Sequence, residues 1–351
     1  MKNVATKLLV TMSIIFSIIS CKSDKKANTG AADLISDNST DSVVTEMADD
    51  KMPDTDLTEK KLDSYRLIDS IMPGLTPKVF AEGIISLKNR FEQYCSFSPD
   101  GMEFHFSYTD SAWMRSTMVQ INLLNPLQPE RIILTESDYQ SGQFIDPTGK
   151  KLYFTSILFS GGIWHSDIYV ATKSGGKWVN PLPLNEPVNS YICEWHPTLT
   201  NKGTMYFSSE RNYDHELADI YKSVPENGNY IKAGKLPAPI NTDINETDPL
   251  IAPDESFLIF ASNRPKNADS IEVLAGMYGS WDLDLYISFN LGNAKWTTPK
   301  NMKKINSDSW EFAPALSPDG KYLFFTRREN FRTLTPSKIY WVDSKVIDLY
   351  R

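Results

Sequence analysis

The chain has 351 residues, a formal net charge of -8, 12% aromatic residues, 17 glycines and 21 prolines. The acidic balance argues against nucleic acid as a partner, because binding a phosphate backbone needs a basic face. Abundant aromatics with frequent turn formers suit many short strands better than a helical bundle, so the expected fold class is all-β.

Lys2 and Lys7 precede an apolar run from Leu8 to Ile19. That run is too short to cross a bilayer as a helix and reads as a signal peptide over residues 1–20. Ile18-Ile19-Ser20-Cys21 follows and resembles the bacterial lipobox, in which a small residue precedes a cysteine that takes a diacylglycerol thioether and becomes the new N-terminus. The resemblance implies lipid attachment at Cys21 and contact with the membrane through that anchor alone. Lys22, standing where an Asp would favour the inner membrane, points to an outer-membrane location, facing the periplasm or the cell surface. Residues 21–60 are rich in Ser, Asp, Thr, Ala and Lys and cannot bury enough surface to offset ordering entropy, so they are expected to form a disordered tether. A short segment at 61–75 has helical spacing over Leu62 to Ile71, and residues 76–351 form the folded domain.

Within that domain one unit recurs five times. Its mark is a Ser-Pro-Asp-Gly turn at Ser98 to Gly101, with related turns at Asp146 to Gly149, Thr200 to Gly203, Ala252 to Glu255 and Ser317 to Gly320. The third turn is one residue shorter than the others, and the fourth has Glu255 where Gly is usual, which should weaken it. Each turn feeds a strand such as Leu152-Tyr153-Phe154 or Leu323-Phe324-Phe325 that is apolar on both faces. A sheet packed between two neighbouring sheets needs that pattern, and a sheet with one wet face does not. His105 occupies the slot of Tyr153, Tyr206, Ile259 and Phe324, so it reads as a packed core histidine. The next strand is marked by Asp167-Ile168-Tyr169 and its copies at Asp219, Asp284 and Lys338. A link ending in Asn189-Ser190, Asn241-Thr242 or Asn306-Ser307 closes the unit.

These repeats resemble the TolB-like, WD40-like propeller repeat family of bacterial envelope proteins. The resemblance covers residues 76–351 and implies a β-propeller of four-stranded antiparallel blades. The five turns predict five blades; six would need a blade from residues 40–75, where no strand pattern is visible. Thr76 to Ser86 reads like the link that precedes a blade, so the N-terminal segment is expected to complete the last blade and close the ring. Cys95 and Cys193 fall in blades one and three and are expected to be two buried, unpaired thiols.

The repeat register gives every loop a side. The links and the loops between second and third strands share one face, and the Pro-Asp-Gly turns share the other. On the loop face an acidic position recurs seven residues before the turn proline as Glu92, Glu246 and Glu311, with Gln140 in blade two and Glu194 in blade three. Two readings stay open. The side chains could ring the channel mouth and hold a divalent cation or basic peptide, their like charges raising some pKa values. Alternatively, each ties one blade to the next through backbone N–H groups. Trp113, Trp164 and Trp281 lie in the same-face loops, with Trp195 and Trp310 beside the acidic ring; such indoles suit sugar rings or apolar side chains. The loop from Ser262 to Asp282 is long enough for a lid. His165, His196 and His215 map to this face and are secondary candidates for a metal or catalytic role; against that role, no His pair has metal-ligand spacing and no cysteine pair accompanies them, so no cofactor is expected beyond a divalent cation at the channel mouth. The leading function is a non-catalytic envelope lipoprotein that binds or scaffolds a protein or glycan. The alternative is a glycan-active lyase or glycosidase at the channel mouth, for which Glu194 and Glu246 are the first carboxylates to test.

Overall fold

The computed structural model describes residues 71–351 apart from 161–162, 213–216, 265–282 and 329–334. The signal peptide, Cys21, the tether, residues 61–70, His215, Trp281 and nearly all of the Ser262 to Asp282 loop therefore lie outside the described residues. Among the described residues no helix is long and apolar enough to cross a membrane.

Five antiparallel sheets follow one another in chain order, one per repeat. Their innermost strands are Phe91–Phe97, Gln140–Ile145, Glu194–Leu199, Glu246–Ile251 and Trp310–Leu316. Each runs into its Pro-Asp-Gly-type turn and pairs with the aromatic second strand, which pairs in turn with the third. The five-bladed propeller expected from the repeats is the fold, with no sixth blade among the described residues.

The ring closes as the ends of the repeat pattern suggested. Blade five supplies Trp310–Leu316, Tyr322–Arg328 and Lys338–Asp343, and its fourth strand is Lys78–Val79, antiparallel to the third. Beyond Asp343 the chain turns into a 3-10 helix, Ser344–Tyr350. Phe80, which follows the closing strand, is fully buried against Phe104 of blade one and Phe324 and Trp341 of blade five.

Apolar residues form five clusters, one for each contact between neighbouring blades. Leu152 and Phe154 face blade one, whereas Tyr153 faces blade three, so the two apolar faces of one strand serve two interfaces. His105 is fully buried edge-on to Trp178, and burial pushes its pKa below the ordinary imidazole value against the pull of Glu103. The short third hairpin also appears: Thr200 donates to the Thr204 carbonyl, where Ser98, Asp146, Ala252 and Ser317 each reach five residues on. Glu255 takes a left-handed φ of 65°, held there while its carboxylate accepts from Lys222 and Tyr206. Cys95 is buried and Cys193 only half-buried, so one of the two expected buried thiols is partly open to solvent; neither is in a disulfide.

Candidate functional site

Each inner strand carries a β-bulge, and at each bulge one residue adopts a left-handed conformation: Tyr94 (φ 47°), Gly142 (62°), His196 (52°), Asp248 (51°) and Ala313 (51°). A bulge sharpens local twist and re-aims side chains. Five at one register bring these residues together at the axis. Tyr94 stacks on His196 with ring centroids 4.3 Å apart, the Nδ1 of His196 meets the Asp248 carboxylate, and the other Asp248 oxygen accepts from the Ala313 N–H at 3.0 Å. Gly142 leaves room for this arrangement, since a Cβ there would lie 2.7 Å from the His196 ring. Residues from all five blades thus meet across the channel.

On the turn side of this plug lies a cavity of about 230 Å³, lined by the C-terminal halves of the inner strands. Pro99, Pro147, Asn201, Pro253 and Pro318 stand at its rim, and His196 and Asp248 are among its lining. The cavity therefore opens between the Pro-Asp-Gly-type turns, on the face opposite the one that the repeat register put forward.

On the loop side the recurring acidic position has a different geometry from an open ring. Glu92, Glu194, Glu246 and Glu311 have no exposed surface, and Gln140 is buried. Glu194 accepts from the Ser190 N–H (2.8 Å), the Ser190 hydroxyl (2.7 Å), the Ser209 hydroxyl and Arg211 (3.1 Å). Glu246 repeats this with Thr242 and Arg264, and Glu311 with Ser307 and Arg327. Arg211 and Arg264 each go on to bond two carbonyls of the link, and Arg327 bonds one. All three lie over the repeat Phe and Tyr of their own blade. Glu92 accepts from the Leu87 N–H and Arg90, with Lys338 of blade five 3.5 Å away. Blade two replaces the charged pair with neutral groups: Gln140 bonds the backbone of Leu134, Thr135 and Ser137. These side chains are internal ties between link and blade. Burial, the largest influence, holds the carboxyls of Glu92, Glu246 and Glu311 above their ordinary pKa despite the cations beside them.

In blades three, four and five the asparagine before the tie matters as much, and the sequence showed it only as a link ending. Asn189 accepts from the Ile168 N–H and donates to the Ile168 and Leu184 carbonyls, and Asn241 does the same for Ile220 and Leu236. Asn306 brackets Leu285 in the same way. An Asn-Ser/Thr pair four residues before a Glu was the legible signal for this wiring.

Several solved structures resemble this ring. A putative TolB from Agrobacterium tumefaciens is 15% identical, with 68% of this chain and 71% of that one covered and a TM-score of 0.45. TolB from Acinetobacter baumannii is 14% identical, with 71% and 54% covered and a TM-score of 0.44. A thermostable family-43 glycoside hydrolase is 11% identical, with 73% and 90% covered and a TM-score of 0.45. No protein-family profile matches the sequence, and no curated protein matches it. At identities this low, a shared ring says nothing of ligand or chemistry.

Among the described residues, Trp113, Trp195 and Trp310 have separate surroundings. Trp310 is buried in the interface of blades four and five. Trp113, at φ 60°, packs on Phe312 with the Arg328 guanidinium over its ring. Trp195 lies beside Tyr139 and His196 and donates its indole N–H to Glu210 at 3.0 Å. Trp164 belongs to the strand Ile163–Ser174. Among the described candidate histidines, His165 pairs with Asp167 at 3.0 Å, and that bond raises its pKa, whereas His196 pairs with Asp248 at the axis. Among the described residues no three His, Cys, Asp or Glu side chains are grouped to hold a metal ion.

Proposed function

We propose that this chain is a non-catalytic binding lipoprotein of the bacterial cell envelope, anchored through Cys21 to the outer membrane, whose propeller engages a protein or a glycan. The observation that carries the reading is the state of the recurring carboxylates. A glycosidase needs two carboxyl groups facing one substrate bond. Glu194 and Glu246 are instead fully buried, and each is already bound to a Ser or Thr and an Arg. What remains open at the axis is a cavity that can receive part of a ligand.

The test has two arms. Incubated with a polysaccharide panel, the purified protein is expected to release no products; cleavage that disappears in His165→Ala or His196→Ala would overturn the binding reading. Crosslinking in native membranes should capture partners of the wild-type chain, and Cys21→Ser should move the chain from the membrane to the soluble fraction.

A further inference from the structure

The turn-side cavity takes an apolar side chain from the end of every inner strand: Phe97, Ile145, Leu199, Ile251 and Leu316 all line it. Its lining includes no Lys, Arg or Glu, and its one carboxylate, Asp248, already accepts the Ala313 N–H. Polar wall residues are spent within the protein as well. The Thr198 hydroxyl donates to the Pro249 carbonyl, the Gln143 amide is held by Ser107 and the Tyr94 carbonyl, and the Ser317 hydroxyl bonds Asp319. Apolar walls of this kind are stabilised by whatever apolar group covers them.

The chain itself arrives beside this mouth. Asp343, the last residue of the third strand of blade five, pairs with Tyr322, just past the Ser317 to Gly320 turn whose Pro318 stands at the cavity rim. The Asp343 N–H donates to the Gly74 carbonyl at 3.0 Å, which puts Gly74 on the turn side of the blade, in line with its fourth strand. The residues before Gly74 stay against the ring. Pro73 is buried, and Met72 packs on the cluster between blades five and one, two members of which, Phe97 and Ala315, also line the cavity.

The sequence upstream matches the mouth in chemistry and in reach. Leu67 and Ile68 are an aliphatic pair preceded by Arg66. Three of the rim prolines, Pro99, Pro253 and Pro318, are each followed by an aspartate, so the rim that an aliphatic pair would cross is acidic where Arg66 would meet it. From a fourth strand to an inner strand is three strand spacings, roughly 14 Å. The six residues from Ile68 to Gly74 span about 9 Å as a helix and about 20 Å extended, which brackets that distance.

We propose that this chain closes its own cavity: residues 62–71 lie across the turn face, and Leu67 and Ile68 enter between the rim prolines. A segment tethered this close has an effective concentration on the order of millimolar, so even a weak apolar contact stays formed most of the time. A ligand that uses the cavity has to displace it. The closure depends neither on which ligand that is nor on the reading of the chain as a binding lipoprotein.

Trypsin digestion of the full chain in nanodiscs, with the cuts located by mass spectrometry, tests the contact. Cutting after Arg66 is expected to be about tenfold slower in the chain than in a free peptide of residues 58–75, because cleavage needs the undocked segment. Leu67→Ser with Ile68→Ser, which alters no residue of the propeller, should raise cutting to the rate of the peptide with the same changes. Pro99→Trp, at the exposed rim, should also release the segment while leaving thermal unfolding unchanged; Asn201→Trp, on the blade-three side of the rim, repeats the test where Pro99→Trp fails to fold. Equal cutting of wild-type chain and peptide would overturn the closure. Protection that survives a rim variant would place the segment elsewhere and overturn it too. Protection lost on dilution would assign the occupant to a second copy and overturn the contact within one chain.

Discussion

The Asp248 carboxylate accepts the backbone N–H of Ala313 at 3.0 Å and so ties blade four to blade five. At three other blade contacts the bulge N–H is taken by a hydroxyl on the second strand of the preceding blade. Tyr94 donates to Thr326, His196 to Thr155 and Asp248 to Ser208. Between blades one and two, Ser107 reaches Gln143. The residue in this slot of blade four is Ala261, which has no hydroxyl, and Asp248 serves in its place. Asp248→Ala is therefore expected to destabilise the ring by about 1.5–3 kcal/mol, as for a bond to a charged acceptor. Adding Ala261→Ser should recover about 1 kcal/mol by restoring the hydroxyl. Urea midpoints of wild type, Asp248→Ala and the double variant measure both effects.

Arg211 and Glu194 give the clearest test of the buried ties. Glu194 is fully buried, so Arg211→Ala strands a carboxylate beside only hydroxyl and N–H donors. The expected loss is about 3–5 kcal/mol, the cost of an uncompensated buried charge. Thermal unfolding should show it, with or without any ligand. If the variant kept wild-type stability and lost partner crosslinking, the carboxylate would be a contact residue and the internal role would be wrong.

How far these sites were legible differs from one to the next. The strand pattern Leu-Tyr-Phe could be read because a sheet between two neighbours must be apolar on both faces, and Tyr153 and Phe154 do face different blades. Thr76 to Ser86 was legible as the closing segment because it repeats the link sequence, and Lys78–Val79 pairs with blade five. The recurring Glu could be read as a position but not as an environment. Its burial depends on Arg211, Arg264 and Arg327, which lie some 16 to 18 residues away in sequence and reach it only after the second strand has folded back. The axial plug was the least visible feature. Tyr94, Gly142, His196, Asp248 and Ala313 share no chemistry, and what unites them is a backbone conformation produced by the bulge. The one trace was the Ser or Thr after the strand aromatic, at Ser107, Thr155, Ser208 and Thr326, which supplies the hydroxyl that most of the bulges use.

Gly142 should be intolerant of any side chain. Its φ of 62° alone disfavours other residues, and an added Cβ would press on a His196 ring fixed by Tyr94 and Asp248. Gly142→Ala is expected to cost about 1–3 kcal/mol, combining left-handed strain with a displaced ring. Gly83, also left-handed at φ 82° but with open space around it, is the control: Gly83→Ala should cost only about 1 kcal/mol. Equal losses at the two sites would mean that the His196 ring moves freely.

Glu210 should make stability fall as pH rises through neutrality. Burial is the main cause that lifts its carboxyl to about 7, with the Glu194 charge adding to it and the bond from Trp195 opposing it. The folded-state value is raised above the unfolded one, so the folded chain holds this proton more tightly. The stabilisation is therefore complete below the unfolded value of about 4.3 and is lost as pH rises through about 7. Its size is up to roughly 3–4 kcal/mol at 1.36 kcal/mol per pKa unit. Urea midpoints taken from pH 5 to pH 8 should decline in the wild type. Glu210→Gln cannot titrate but can still accept from the Trp195 indole, so it should flatten most of that decline. The same slope in both proteins would assign the dependence to other carboxyls, Glu92, Glu246 and Glu311 first, because burial also raises their pKa values.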